Sequence, residues 1–325
     1  MKSKIYITGS SGFIGFHTAK RLLNKGIKVH GFDSMNSYYD LKLKKNRLKI
    51  LKKYKNFSFT KGLLENEKVL SNSISRFKPS IIIHLAAQAG VRYSLESPKN
   101  YLNSNIVGTF NILKNAHKIN IKHLIIGSSS SVYGANKKIP FQEIDKTDHQ
   151  VSFYAATKKS AESLAHSYSS LWKIPVTMLR FFTVYGPWGR PDMALFIFTK
   201  AIIENKIIDL FNEGNHTRSF TYIDDITEPI HRLIKINYDK KNEISNNEIL
   251  NIGGSKPVKL LRFIDIIEKY LGKKAKINLK PMQQGDVKET NANIDKLEKI
   301  TGYKPQTNIK KGIKRFIDWY IQYHQ

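Results

Sequence analysis

Apolar residues come in short runs separated by helical stripes through the first half of the chain. Residues 4–8 form an apolar strand, and Ile14, Ala19, Leu22 and Leu23 follow at helical spacing up to Gly26, a helix-stopping residue. Further strands are predicted over 28–32, 57–61, 81–85, 124–128 and 176–181. The middle ones are continuously apolar, as in a parallel sheet covered on both faces. Helical patterns fill the intervals at 66–77, 98–118 and 154–172. This alternation predicts a doubly wound, Rossmann-like α/β sheet. Beyond about residue 181 it becomes irregular, with helices expected at 194–204, 225–236, 260–271 and 309–323. Two interdigitated parts follow: residues 1–180 carry the sheet, and residues 181–325 form a smaller α/β domain. The second is expected to close over the carboxyl edge of the sheet, where ligands bind in such folds.

Composition narrows the picture only partly. The 325 residues include no cysteine, which excludes disulfides and thiolate metal sites and weakly supports a cytosolic setting. The first strand begins by Lys4, leaving no room for a signal peptide, and no apolar run approaches the ~20 residues of a membrane span. The net charge is +28, from 54 basic and 26 acidic residues, and it concentrates in 42–55. Nucleic acid or an anionic membrane would suit such a patch. Leu43, Arg47, Ile50 and Tyr54 nevertheless recur at helical spacing there, which predicts an amphipathic helix with a solvated basic face. Lysine, asparagine and isoleucine abound throughout, so background composition explains the charge better than a nucleic-acid site does.

Two motifs carry chemistry. After the first strand comes Gly9-Ser10-Ser11-Gly12-Phe13-Ile14-Gly15, leading into a helix. Strand, glycine turn and helix form a dinucleotide-binding fingerprint. Gly9 allows the tight turn, Gly12 lets backbone amides approach a pyrophosphate, and Gly15 permits close helix–strand packing. Asp33, ending the second strand, stands where an acid grips an adenosine ribose and so favours NAD over NADP. The second motif is Tyr154-Ala155-Ala156-Thr157-Lys158, whose spacing puts phenol and ammonium on one helix face. Tyrosine loses its proton near pH 10, and lowering that by roughly 3 units needs roughly 4 kcal/mol, within reach of close cations. By itself the pair would equally suit an exposed helix face.

Together with these motifs, His84-Leu85-Ala86-Ala87 and the serine run before Val132-Tyr133-Gly134 resemble the extended short-chain dehydrogenase/reductase family over essentially the whole chain. More narrowly, Gln88-Ala89-Gly90-Val91-Arg92-Tyr93-Ser94, the serine run and the block from Arg180 to Ala194 resemble UDP-glucuronate 4-epimerases. That resemblance implies a cofactor site at Gly9, Gly12, Phe13, Ile14, Gly15, Asp33, Ala86 and Lys158, with NAD retained through turnover. It implies that Tyr154 takes the proton of the sugar 4-hydroxyl as C4 passes hydride to the cofactor. Ser129 relays that proton, and Lys158 binds the nicotinamide ribose and lowers the tyrosine pKa. The 4-keto sugar then turns over and is reduced on its other face.

The same resemblance addresses the substrate. Sister dehydratases need an acidic pair where this chain has Ser130 and Ser131, and sister decarboxylases carry a Glu in the serine stretch. Thr183, where UDP-galactose epimerases usually have Asn, and Arg190 are placed near a C6 carboxylate. With Ser130 and Ser131, Thr183 is expected to hold that carboxylate out of alignment for decarboxylation. Arg218 is expected at the pyrophosphate and Asp286 near the uridine ribose, while Arg92 faces either substrate or a helix end. Leu63 stands where an Asp usually bonds the adenine amino group, and Asn293 where an Asp is common. A homodimer is implied, with helices 98–118 and 155–172 as candidates for its interface. The alternatives are a UDP-glucose/UDP-galactose 4-epimerase and a non-catalytic, basic, nucleic-acid-binding member of the fold.

Overall fold

The structure is a computed structural model and describes residues 3–236, 246–254, 256–283 and 287–325. Its centre is a seven-stranded sheet, parallel throughout. From edge to edge the strands are Asn247–Ile252, Val176–Phe181, His123–Ser129, Ile81–His84, Lys4–Thr8, Lys28–Asp33 and Phe57–Lys61. Successive side chains on one strand point to opposite faces. Ile5, Ile7, Ile83, Ile125 and Leu179 accordingly enter one core, with Phe16 and Leu22 of the first helix and Ile226 and Ile230 of a later one. Tyr6, Ile82, Leu124, Ile126 and Met178 enter the other, beneath Leu70, Ile74, Ile112, Leu113 and Ala165. Each fully buried aliphatic side chain contributes about 1.5–3 kcal/mol, so this two-sided burial is what holds the sheet.

The doubly wound class is thus observed, with one element that the hydrophobic pattern does not announce. The edge strand Asn247–Ile252 comes from the irregular second half and pairs in parallel with Val176–Phe181. Its polar residues conceal it, because their partners lie far away in sequence. Glu248 pairs with Lys296 at 2.5 Å. Asn251 accepts a hydrogen bond from the Tyr133 hydroxyl (2.6 Å) and donates to Phe141 O (3.0 Å).

The segment predicted as one helix at 98–118 also differs. It runs as Pro98–Tyr101, a wider π turn over Leu102–Val107, and Gly108–Lys118. π turns often accompany functional sites. Here the turn carries Asn105, which bonds both main-chain groups of Gln88 (2.8 and 3.0 Å) and Thr157 Oγ1 (3.0 Å). The helix Phe153–Trp172 begins where Ser152 Oγ accepts from Ala155 N (3.1 Å), which fixes Tyr154 in its first turn.

The basic helix corrects another expectation. It spans Leu41–Leu51, but Lys44 and Arg47 are buried together with Leu43 and Leu51. Arg47 donates to Ser11 O (3.0 Å) in the glycine loop, to the Tyr39 hydroxyl (2.7 Å) and to Trp188 O (2.5 Å) and Gly189 O (3.2 Å). Arg47 thus lies on the buried stripe it shares with Leu43 by helical spacing, while Lys44, expected on the solvated basic face, is internal. Among the described residues, no helix is long and apolar enough to cross a membrane.

Candidate active site

One cavity of about 1280 Å³ opens at the carboxyl ends of the strands. That volume exceeds the usual range for one small ligand, about 300–1,000 Å³, and suits two bulky ligands side by side. Gly9, Gly12, Phe13, Ile14, Gly15, Asp33, Ala86, Ser129, Ser130, Ser131, Tyr154, Lys158, Thr183, Arg190 and Arg218 all line it. Arg92 and Leu63 line it as well. Asp286 lies outside the described residues.

The glycine loop is shaped as its sequence requires. Gly9 has φ +71°, and a Cβ there would meet Ala86 N at 2.7 Å. Gly12 precedes the helix Phe13–Asn24 in extended conformation, so free amides of the first helical turn face the loop. A Cβ on Gly15 would lie 2.0 Å from Gly9 O, so helix and loop touch backbone to backbone. Asp33 Oδ2 accepts from Ser11 N (2.9 Å) and Oδ1 from Met35 N (2.8 Å). Each carboxylate oxygen keeps capacity for another donor, such as a ribose hydroxyl. A side-chain-free cradle at a helix N-terminus, with an acid at the end of the next strand, fits NAD.

Tyr154, Ser129 and Lys158 line the same cavity as that cradle. Burial raises the Tyr154 pKa above its ordinary value, and the polar Ser129 side chain and the positive charge of Arg190 pull it back down. The Ser129 hydroxyl itself donates to Ser131 Oγ (3.2 Å). The sequence pattern assigns that second role to Lys158 and gives no sign of Arg190. Burial also lowers the Lys158 ammonium to about 8, with Glu162 one turn further along opposing the change. Glu162 is itself held in a buried fork with Arg180 (2.9 and 2.9 Å) and accepts from Ser128 Oγ (2.7 Å). This network ties the serine run to the tyrosine helix. Glu162 and Arg180 stand 18 residues apart in sequence, and only the fold shows that they pair.

Ser129→Ala offers a direct test. A tyrosine works as a base in its phenolate form, above its pKa, and Ser129 lowers the pKa of Tyr154. Its loss will raise the pKa and move the acid limb of kcat/KM to higher pH. A hydrogen bond to a charged group is worth about 1.5–3 kcal/mol, which corresponds to roughly one to two pH units. An unmoved limb would show that Ser129 leaves the base untouched.

In the same cavity Arg190 donates from Nε to Asp192 Oδ1 (3.0 Å) and from Nη2 to Asp192 Oδ2. Arg218 donates from Nη1 to Thr217 O (3.1 Å) and Lys288 O (2.9 Å). The Arg92 guanidinium stacks 5.0 Å from the centre of the Phe211 ring. Leu63 is half exposed, as suits a residue without a buried partner.

A family model described as GDP-mannose 4,6 dehydratase matches residues 6–316, and the chain belongs to this NAD-dependent epimerase/dehydratase family. It is 49% identical to a probable UDP-glucuronate 4-epimerase of Rhizobium meliloti (strain 1021), covering 97% of this chain and 96% of the relative. It is 42% identical to UDP-glucuronate 4-epimerase 4 of Arabidopsis thaliana, covering 98% of this chain and 76% of that protein. Among solved structures it resembles the UDP-glucuronic acid 4-epimerase of Bacillus cereus in complex with UDP-glucuronic acid and NAD. That likeness has a TM-score of 0.91 at 34% identity and covers 98% of this chain and 99% of the other.

Proposed function

We propose that this chain is an NAD-dependent epimerase that interconverts UDP-glucuronate and UDP-galacturonate at C4. The observation that carries the reading is the convergence in one cavity of the glycine cradle, the Tyr154–Ser129–Lys158 cluster and the Thr183–Arg190 wall. The relatives named UDP-glucuronate 4-epimerase, and the Bacillus cereus complex, support it.

Gly9, Gly12, Phe13, Ile14, Gly15, Asp33, Ala86 and Lys158 would hold NAD. When bound, NAD supplies reversible hydride acceptance at the sugar C4. Tyr154 removes the proton from the 4-hydroxyl, with Ser129 passing it on, and returns it after the keto sugar has turned over. The charge on Arg190 favours the phenolate, and Lys158 binds the nicotinamide ribose. Ser130, Ser131, Thr183 and Arg190 hold the C6 carboxylate, and Arg218 and Asp286 hold the UDP portion. Ser130 and Ser131 supply no acid–base pair, so expulsion of a sugar hydroxyl is not part of the reaction, despite the dehydratase in the family description. A homodimer belongs to the proposal. Leu102, Phe110, Leu171 and Trp172 are exposed apolar side chains on the two helical segments expected to form it.

The decisive experiment is to incubate the purified protein with UDP-glucuronate, without added NAD, and follow the anomeric proton signals by NMR. Appearance of UDP-galacturonate establishes reaction, substrate and retained cofactor together. No conversion, even with NAD supplied, refutes the proposal.

A further inference from the structure

The residue proposed to recognise the substrate carboxylate already has a carboxylate beside it. Asp192 occupies the Nε and Nη2 side of the Arg190 guanidinium, while Nη1 makes no hydrogen bond among the described residues. Asp192 is fixed in turn from below. Tyr38 donates to Asp192 Oδ2 (3.1 Å), and its ring lies 5.9 Å from the Arg190 guanidinium. The Tyr38 hydroxyl sits against Gly90, where a Cβ would come within 2.5 Å. Arg190, Asp192 and Tyr38 all line the same cavity as Thr183 and Tyr154.

Resting on the function proposed above, we infer that Asp192 is a specificity-tempering residue, sharing Arg190 with the substrate so that the sugar acid is recognised without being trapped. An unshared guanidinium would grip a carboxylate through two charge-assisted hydrogen bonds. Such a grip, equal before and after the chemical step, tightens binding without speeding turnover. It would also hold the sugar in one orientation, whereas epimerisation at C4 requires the ring to present both faces to the same hydride site. Paired with Asp192, Arg190 offers its free edge from a locally neutral pair. Tyr38 keeps Asp192 in place, so the tempering is built into the site.

The test compares the holoenzyme with Asp192→Asn, which keeps shape and removes the charge. Affinity would be measured calorimetrically and turnover by NMR, with UDP-glucuronate and UDP-glucose. The two side chains are 21% and 33% exposed, so solvent limits the effect. The expected result is a Kd and KM for UDP-glucuronate about three- to fivefold lower, the scale of one partly exposed charge interaction. The kcat will fall several-fold alongside, and UDP-glucose binding will stay unchanged. A residue that merely supports the fold would weaken both ligands instead. Unchanged or weaker UDP-glucuronate binding in the variant, or equal shifts for both sugars, overturns the inference while the function stands. Failure of the unmodified enzyme to convert UDP-glucuronate overturns both.

Discussion

Tyr154→Phe will lower kcat for epimerisation by about 10³-fold while leaving the KM for UDP-glucuronate nearly unchanged, since positioned general acid–base groups contribute about 10²–10⁴-fold. The substitution removes one oxygen. The ring remains edge-on to Tyr101, with centres 6.1 Å apart, and Ser152 still caps the helix. Fold, cofactor site and carboxylate wall are therefore untouched, and the loss falls on proton transfer alone. Such a loss in kcat with KM preserved marks an interaction made only in the transition state. Ser129, whose hydroxyl donates to Ser131 Oγ (3.2 Å), has no group able to take the place of the phenol as a base at neutral pH. Steady-state rates by NMR or a coupled assay check the result. A variant retaining a tenth of the activity would show that another group moves the 4-hydroxyl proton.

Gly15→Ala will weaken NAD binding and destabilise the fold by about 1–3 kcal/mol, the usual penalty for forcing a methyl into a packed site. The new Cβ would stand 2.0 Å from Gly9 O and 2.7 Å from Gly9 C. Both are backbone atoms, so no rotamer change relieves the clash, and the helix Phe13–Asn24 has to lift away from the loop. The amides at its N-terminus then no longer converge on the pyrophosphate. Gly12→Ala provides a graded comparison, because its Cβ would approach Gly9 O only to 3.0 Å. The nucleotide content of the purified proteins and their denaturant midpoints measure both effects. Gly15→Ala protein carrying a full complement of NAD would disprove this account of the loop.

Much of the fold and of the site is legible in the amino-acid sequence, for identifiable reasons. The glycine loop and the Tyr154–Lys158 spacing are local geometry, set within one turn or one helix, and local geometry is written directly in sequence. The central strands are legible because burial on both faces leaves them uniformly apolar. What escapes depends on partners distant in sequence. Glu248 and Asn251 make an edge strand look polar, and their partners lie on other elements. Lys44 resembles a surface charge until the fold buries it, with its ammonium donating to Asn36 O (2.8 Å). Asp192 follows Arg190 by two positions, yet its grip on the guanidinium depends on the turn between them and on Tyr38. The electrostatics of Tyr154 escape for the same reason, since Arg190 reaches it from a different strand connection.

The late edge strand also governs how the protein is made. About 70 residues separate Phe181 from Ile252, so the strand Val176–Phe181 leaves the ribosome well before its outer neighbour. At about 5–20 residues per second, the interval lasts roughly 4–14 seconds. If the sheet forms as the chain is made, Val176–Phe181 stands through that interval as an unpaired parallel edge, the kind of surface that recruits strands from other molecules. The newborn enzyme is thus most exposed to aggregation after its cofactor-binding half has been synthesised, and slower translation of residues 182–252 would lengthen that window.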